Sequence, residues 1–243
     1  MASIIAIIVW ELLIFVLRIP PYLLPHFHTV VAELVAQWSY LFGHFLTTLT
    51  ETVVGAAIGI SAGVLVGGLL AFCRPARWIG EPYLVALQSF PREALAPLLV
   101  VWFGFGYAPK IVMSSVICFC PMAIASTVTF STAPRDMIDL LRCQGATGWQ
   151  IFRYVRVPYA IPALVAGLRV AVPLSVIGAV IGEFIGGSSG LGYVIATGSA
   201  QANTPLVFAA ILLLGAMGLS ITGILSLLSK VAQRRFVSHL ETF

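Results

Sequence analysis

Apolar runs long enough to cross a lipid bilayer recur along this sequence, and they constrain its fold more than any other feature. A transmembrane helix needs about 20 predominantly apolar residues. Only 9% of the 243 residues are charged, well below the roughly 25% that is usual in soluble domains. The sequence therefore predicts an all-α polytopic membrane protein with about six transmembrane helices. The predicted spans cover residues 3–17, 44–72, 83–103, 111–130, 161–181 and 206–228.

Two other classes of protein are less consistent with this composition. A soluble α/β protein with a buried sheet would have shorter apolar runs and more charged residues between them. A nucleic-acid-binding protein could share the net charge of +4 and the pI of about 9.0, but no stretch interleaves basic and aromatic residues on a soluble surface. In a membrane protein an excess of Arg and Lys is the expected topology signal. We therefore expect the chain to contact membrane lipid and to bind no nucleic acid.

The basic residues predict the orientation of the spans. They cluster after the second span, between the fourth and fifth, and after the sixth, and six spans place these three stretches on one side. The positive-inside rule makes that side cytoplasmic, so we expect both termini in the cytoplasm. Arg18 and Lys110 are the exceptions on the other side. The clustered residues are Arg74, Arg77, Arg135, Arg142, Arg153, Arg156, Lys230, Arg234 and Arg235.

A polar stretch of about two dozen residues, DLLRCQGATGWQIFRYVRVPYAIP (139–162), interrupts the apolar runs. Asp136 is predicted to cap a short helix that Gly145 ends, and a second short helix is predicted to run up to Pro158. Together they would form a compact knob with exposed apolar side chains, which can dock in a groove on a soluble partner. The alternative is an ordinary basic loop held by anionic lipid headgroups. The residues predicted to be exposed are Met137, Leu140, Leu141, Trp149 and Phe152.

The spacing of this stretch resembles the cytoplasmic signature EAA-x3-G-x9-I-x-L-P of the permease subunits of bacterial ATP-binding-cassette (ABC) importers. Asp139-Leu140-Leu141 is followed by three residues, Gly145, nine residues and Val155-Arg156-Val157-Pro158. The two leucines replace the two alanines of the signature. The resemblance implies that residues of about 134–160 carry a coupling helix, which inserts into a separate ATPase subunit. The coupling residues that it implies are Asp139, Leu140, Leu141, Gly145, Ala146, Trp149 and Pro158.

Two further stretches are similar to the branch of this family that includes the nitrate, sulfonate, taurine and bicarbonate permeases. Residues 89–110 share its Pro-basic-x-Ala and Trp-Phe-Gly-x-Gly patterns. Residues 167–195 share its Gly-Leu-Arg opening, its Glu at the end of the fifth span and its Gly-Leu-Gly loop. We therefore divide the chain into an ABC importer transmembrane domain, 44–243, and an N-terminal part, 1–43, with a first helix and an amphipathic outer segment at 28–42.

Several residues in these stretches are candidates for the solute pathway or its gates. Arg92, beside Pro91 in the broken third span, either contributes positive potential to an anion route or anchors the chain, for example through a salt link. Glu183 pairs across a subunit interface, contacts the binding protein or caps a loop. The stretch GGSSGLG (186–192) is interpreted as an outer-gate loop, and Glu51 is expected to face protein or water. The candidates are Pro91, Arg92, Glu93, Trp102, Phe103, Glu183, Gly190 and Gly192.

The sequence contains no recognisable set of residues for ATP binding or catalysis. A P-loop needs G-x-x-x-x-G-K-[ST], and the only lysines, Lys110 and Lys230, have no such context. No Ser/His/Asp or HExxH arrangement is present. We therefore expect no catalytic site, cofactor or metal in this chain, and we predict that it is not an enzyme on its own. The resemblance implies that ATP and Mg bind to partner ATPase subunits.

The function that the resemblance implies is that of a permease subunit, which forms the path of a small solute through the bacterial inner (plasma) membrane. The implied partners are a second permease copy, two ATPase subunits and an extracytoplasmic solute-binding protein. The expected solutes are nitrate, sulfonate, taurine, bicarbonate, a related organic anion or a vitamin precursor, with amino acids or metal ions as the alternative. An ion-coupled secondary transporter is the rival class, but it would need paired acidic residues near the midplane and inverted repeats.

Overall fold

The computed structural model describes the backbone of residues 2–240, together with the side chains of that range except those of 2–4, 6, 74, 228 and 230–240. Within residues 2–240 the regular structure is helical and no strand is present, which confirms the all-α prediction. A 3-10 turn (Arg92–Leu95) and a π-helical turn (Phe152–Arg156) lie between α-helices. The α-helices are α1 (Ala2–Leu17), α2 (Phe27–Ala36), α3 (Trp38–Phe72), α4 (Arg74–Ser89), α5 (Ala96–Phe103), α6 (Tyr107–Ser131), α7 (Arg135–Cys143), α8 (Gly148–Ile151), α9 (Val157–Gly186), α10 (Leu191–Ala200) and α11 (Thr204–Leu240).

Four helical stretches of the described chain are long and apolar enough to cross a membrane: α3, α6, the run Gly148–Gly186 that ends with α9, and Thr204–Leu227 of α11. A fifth is formed if the pair Pro75–Ser89 and Arg92–Phe103, bent by 86°, counts as one span. α1 is a shorter apolar helix. The predicted spans thus correspond to α1, α3, the bent pair, α6, α9 and α11, and the break predicted at Pro91 is confirmed.

The orientation of these spans stays a prediction. Arg77, one of the basic residues on which it depends, pairs with Glu81 across one turn of α4 (Nε to Oε2 3.3 Å). Other side chains on which it depends lie outside the described residues, as do Met1 and residues 241–243 at the two ends of the chain. Those side chains are Arg74, Lys230, Arg234 and Arg235.

α3, α6 and α9 pack side by side and form what we call the three-helix unit. Membrane helices approach closely where small residues face each other. A Cβ added at Gly59 of α3 would lie 2.3 Å from the carbonyl oxygen of Ser115 on α6, and one at Gly178 of α9 would lie 2.6 Å from Cα of Ser114. The backbones can come this close only because these positions lack side chains, so the unit is tightly packed. The glycines on this face of α3 are Gly55, Gly59, Gly63 and Gly67.

A second core lies where α2, α10 and α11 meet the start of α3. Val30 and Leu41 are fully buried there against apolar side chains of α10 and α11. The stretch 28–42, predicted as an amphipathic surface segment, is therefore partly core, and α3 begins at Trp38, before the predicted start of that span at residue 44. The polar residues near this boundary hide the helix start, because a hydropathy pattern marks only where a run becomes continuously apolar.

Candidate functional site

The chain between α6 and α9 folds as two short helices, and we call residues 134–158 the coupling segment. α7 ends in a Schellman turn in which Gly145 has a φ of +80°, a conformation that glycine adopts without strain. The amide of Ala146 donates to the carbonyl oxygen of Leu141 (2.9 Å), and the amide of Gly145 donates to that of Arg142 (3.0 Å). Gly145 therefore ends α7 as predicted and turns the chain toward α8.

The starts of the two helices differ. α7 follows Pro134, and no side chain caps it. Asp136 lies in the first turn, so its predicted role as the N-cap was wrong, although its carboxylate still lies at the positive end of the helix dipole. α8 begins with a capping box. In it the amide of Gln150 donates to Oγ1 of Thr147 (3.4 Å), and the amide of Thr147 donates to Oε1 of Gln150 (2.7 Å).

Pro158 does not end a helix. The helix runs from Gly148 through the π-helical turn Phe152–Arg156 into α9, and Pro158 lies in the first turn of α9. A proline inside a regular α-helix clashes with the carbonyl four residues before it, and a π-helical turn widens the helix and relieves such a contact. The prediction of a separate short helix ending at Pro158 was therefore wrong, because this local widening was not visible in the pattern.

The coupling segment has a small core of its own and an apolar outer face. Leu141 and Ala146 pack against a buried cluster of four residues within and just before the segment. Leu140 faces outward, so the two adjacent leucines differ in role, and Asp139 is exposed beside it with Oδ1 3.6 Å from Nη1 of Arg142. The large exposed apolar side chains are Met137 (47% exposed), Leu140 (60%), Trp149 (66%) and Tyr154 (69%).

Aromatic side chains join the coupling segment to the ends of α3 and α6. The ring of Phe152 lies 5.3 Å from that of Phe72 on α3 and 6.2 Å from that of Phe130 on α6, between ring centroids. The guanidinium of Arg156 lies 4.9 Å from the centroid of Phe72, a cation–π distance. Phe152 is thus half-buried and not exposed as predicted, and the segment rests directly on two helices of the three-helix unit.

The bent helix pair holds other predicted candidates, and it does not gather them at one site. Pro91 precedes the 3-10 turn, and Nη1 of Arg92 donates to the carbonyl oxygen of Ile117 on α6 (2.9 Å). This contact agrees with the anchoring interpretation of Arg92, although the anchor is a hydrogen bond to backbone and not a salt link. The exposed candidates of this pair are Pro91, Glu93, Trp102 (65% exposed) and Phe103 (52%).

Three other candidates, Glu183, Gly190 and Gly192, come together at the end of α9. Oε2 of Glu183 accepts a hydrogen bond from the amide of Gly192, and Oε1 accepts one from the hydroxyl of Thr48 on α3, both at 2.6 Å. Gly190 has a φ of +108°, and a Cβ there would lie 1.9 Å from Oε1 of Glu183. Glu183 therefore caps a loop of its own chain, which is one of the three predicted alternatives.

Lys110 is an important residue that the sequence analysis did not place. In the sequence it counts as an exception to the positive-inside rule, yet its side chain is 1% exposed and its Nζ lies 2.8 Å from Oε1 of Glu51. Glu51 thus faces protein. Each residue is a single charge in or beside an apolar span, and such charges are expensive unless they are paired. From the sequence alone, this energetic cost could have suggested that Glu51 and Lys110 pair with each other.

Glu11, His26 and His28 place metal-ligand atoms within 4.8 Å of one another near the start of α2. The contacts of Glu11 explain this arrangement without an ion. Its Oε1 accepts a hydrogen bond from the amide of Phe27 (2.7 Å), and its Oε2 lies 2.8 Å from Nδ1 of His26. Both carboxylate oxygens are therefore engaged at the beginning of α2, and we interpret the cluster as a helix cap.

Comparison with known proteins identifies the architecture. Residues 55–238 match the family described as binding-protein-dependent transport system inner membrane component. The chain is 36% identical over 213 residues to a probable ABC transporter permease of Haemophilus influenzae, covering 88% of this chain and 87% of that protein. It is 35% identical over 200 residues to the formylaminopyrimidine transport permease ThiX of Halalkalibacterium halodurans, covering 82% of this chain and 80% of that protein. A solved structure of a methionine ABC transporter in an inward-facing conformation matches with a TM-score of 0.61 and 25% identity, over 78% of this chain and 98% of that one.

These similarities agree with the fold. The helices that can cross a membrane make the chain a multi-pass membrane protein, and the two short helices between α6 and α9 lie where the resemblance places a coupling helix. The relatives are transport components, whose ATPase is a separate chain. The chain belongs to the family of inner membrane components of binding-protein-dependent transport systems and is the permease subunit of an ABC importer, which works with a separate ATPase and a solute-binding protein.

Proposed function

We propose that the outer face of the coupling segment docks in a groove of the ATPase subunit. The observation that carries this proposal is the division of the segment into a packed inside and an exposed apolar outside. Leu140 and Trp149 supply apolar surface on the outside, and Asp139 supplies a charge beside it. Leu141 and Ala146 pack against the small core of the segment and stabilise its conformation, while Gly145 provides the turn between the helices. This division is what helix-in-groove recognition requires.

We also propose that two copies of the chain enclose one solute path, with two ATPase subunits on the cytoplasmic side and the solute-binding protein on the other side. Six helices or fewer are too few to surround a conduit by themselves. α5 supports this arrangement, because Trp102 and Phe103 leave a large apolar surface uncovered within one chain. In this orientation both termini are cytoplasmic, and the glycine-rich stretch 186–192 lies on the outer side as a gate.

The solute that we favour is a small organic molecule such as a vitamin precursor. The support is the likeness to the permease of Halalkalibacterium halodurans, whose name specifies formylaminopyrimidine. Nitrate, sulfonate, taurine and bicarbonate are the anionic alternatives. They are less favoured because Arg92, the residue considered for an anion route, already donates a hydrogen bond to the carbonyl oxygen of Ile117. An amino acid is the second candidate, because the matching solved structure is a methionine transporter. In each case the binding protein would supply most of the affinity.

The test is an affinity purification of the full-length tagged chain from its native host in mild detergent. We expect an ATPase with a P-loop to co-purify with the wild-type chain and to be lost with Asp139→Arg, which reverses an exposed charge on α7. Glu81→Arg is the matched control, since it reverses an exposed charge on α4 and should leave the ATPase bound. Retention of the ATPase by Asp139→Arg would remove this face from the interface. The ligand carried by the co-purified binding protein identifies the solute.

A further inference from the structure

Lys110 joins two parts of the chain from a fully buried position. Its Nζ donates to Oε1 of Glu51 on α3 (2.8 Å), and it also donates to the carbonyl oxygen of Ser189 (2.8 Å) and to its Oγ (3.3 Å). An ammonium group has three hydrogens, so these contacts use its full donor capacity. Because Ser189 belongs to the glycine-rich stretch 186–192, Lys110 ties that stretch to α3 and α6.

Glu183 holds the same stretch from α9, at the start of α10. The first amide groups of a helix have no partner within it, and in α10 these amides find side chains of α3 and α9. The amide of Gly192 donates to Glu183, that of Leu191 to Oγ1 of Thr48 (2.8 Å), and that of Gly190 to Nδ1 of His44 (2.9 Å). We call Glu51, Lys110 and Glu183 the charged clamp. All three of its side chains are buried.

The charged clamp and the coupling segment lie at opposite ends of the same two helices. Lys110 lies in the first turn of α6, which ends at Ser131, just before the coupling segment begins. Glu183 lies in the last turn of α9, which follows the coupling segment without a break. Phe152 of the segment packs on the ends of both α3 and α6. A displacement of the coupling segment thus acts on the helices that carry the clamp.

We infer that Lys110 and Glu183 are positioning residues for transport, which fix the glycine-rich stretch 186–192 to the three-helix unit so that movement of the coupling segment is carried to that stretch. This inference rests on the proposed function and specifies how the gate is held. The buried pair of Lys110 and Glu51 is stable only while both partners stay together, and Glu183 is buried with its hydrogen-bond donors, so a partial separation of the clamp is unfavourable. The glycine-rich stretch therefore has two states: it moves with the three-helix unit as one body, or it is released from that unit as a whole. Such bistable behaviour is what a transport cycle needs.

The experiment uses the complex of the full-length chain with its ATPase, in lipid nanodiscs. Ser188, an exposed residue of the stretch outside the clamp, is replaced by Cys as a reporter, and Cys73 and Cys143 are replaced by Ser. The reaction rate with a membrane-impermeant maleimide is measured without nucleotide and after trapping with ATP and vanadate. With the clamp intact we expect the two rates to differ by about tenfold, as two distinct states would give.

The test variant is the double substitution Glu51→Gln with Lys110→Met, which removes both charges of the ion pair together, while Glu183 keeps the hydrogen bonds that it accepts from Thr48 and Gly192. We expect its two labelling rates to become nearly equal while the ATPase stays bound. In Glu183→Gln the side chain can accept only one of the two hydrogen bonds, so this variant should reduce the difference between the two labelling rates in part. It replaces the double variant as the test if the double variant does not fold. Arg169→Gln is the matched control: it breaks a polar contact between α9 and α11 outside the clamp and should keep the full difference.

The outcomes separate this inference from the proposed function. If the double variant or Glu183→Gln keeps the full difference in rate, the clamp does not position the stretch. If the wild-type complex hydrolyses ATP but shows no difference at residue 188, the stretch does not follow the coupling segment, and the inference fails while the proposed function stands. If no ATPase co-purifies with the wild-type chain, the proposed function fails and the inference falls with it.

Discussion

Nζ of Lys110 lies 2.8 Å from Oε1 of Glu51, and neither side chain is accessible to solvent beyond 1%. The two residues belong to different helices, α6 and α3, of the three-helix unit. A buried ion pair is energetically costly to form. Removing one partner is more costly still, because the remaining charge is buried without water around it. The pair therefore links the packing of the helices to the position of the loop that Lys110 also binds.

The first prediction concerns this pair. Lys110→Met should lower the free energy of unfolding by about 3–5 kcal/mol, because Glu51 then stays buried without its partner. The double variant Glu51→Gln with Lys110→Met should recover most of that loss, since both charges are gone. Denaturant unfolding in detergent, followed by tryptophan fluorescence, measures both values. A double variant no more stable than Lys110→Met would show that the pair is not the source of the cost.

The second prediction separates the two adjacent leucines of α7. Leu140→Ala should weaken ATPase binding while leaving thermal stability unchanged, because Leu140 is 60% exposed. Leu141→Ala should loosen the coupling segment itself by about 2 kcal/mol or more, because Leu141 packs against its small core. Hydrogen exchange of residues 135–157 and ATPase co-purification are the two readouts. Equal behaviour of both variants in both assays would contradict this division.

The third prediction concerns Gly145, whose positive φ ends α7. Gly145→Ala should cost about 1 kcal/mol, since a residue with a Cβ is strained in the left-handed region. We expect this to appear as about a fivefold loss of ATPase affinity, because the turn orients the docking face. Gly148→Ala is the control: Gly148 lies in the helical backbone of α8 with open space where a Cβ would point, so its replacement should not weaken binding. Equal affinity for the two variants would argue against a role for the turn.

The fourth prediction tests the packing of α3 on α6. Gly59→Ala should destabilise the fold by about 1–3 kcal/mol, because the added Cβ meets the carbonyl oxygen of Ser115 at 2.3 Å and the helices must separate. Gly43→Ala on the same helix has open space around it and should be neutral or stabilising. Unfolding in detergent, measured side by side, checks the contrast. A neutral Gly59→Ala would mean that the two helices adjust at little cost.

The parts of the architecture that follow from local pattern were predictable from the sequence. Long apolar runs indicate the spans, Pro91 marks the break in the third, and Gly145 ends α7 because its position in the pattern is that of a helix C-cap. The start of α3 was missed, since its first turns mix polar and apolar residues. Pro158 was misjudged because a π-helical turn, which no composition rule signals, accommodates it within a continuous helix.

The long-range contacts of the candidate site were not predictable in the same way. Glu51 and Lys110 lie 59 positions apart, and Thr48 and Glu183 lie 135 apart. A sequence shows that each charge lies in an unfavourable place, but it does not show which helices are neighbours, and that decides which charges can pair. Glu183 left three alternatives open for this reason, and only the packing of α9 beside α3 selects among them.

The unbroken helical run from Gly148 to Gly186 has a mechanical consequence. Its 39 residues make a rod roughly 58 Å long at 1.5 Å per residue, about twice the thickness of the hydrocarbon layer. Pivoted near one end, such a lever converts a tilt of about 5° into a sweep of about 5 Å at the other end, by simple geometry from that length. Under the docking that we propose, a small displacement of the coupling segment by the ATPase becomes ångström-scale travel at the other end of this helical run.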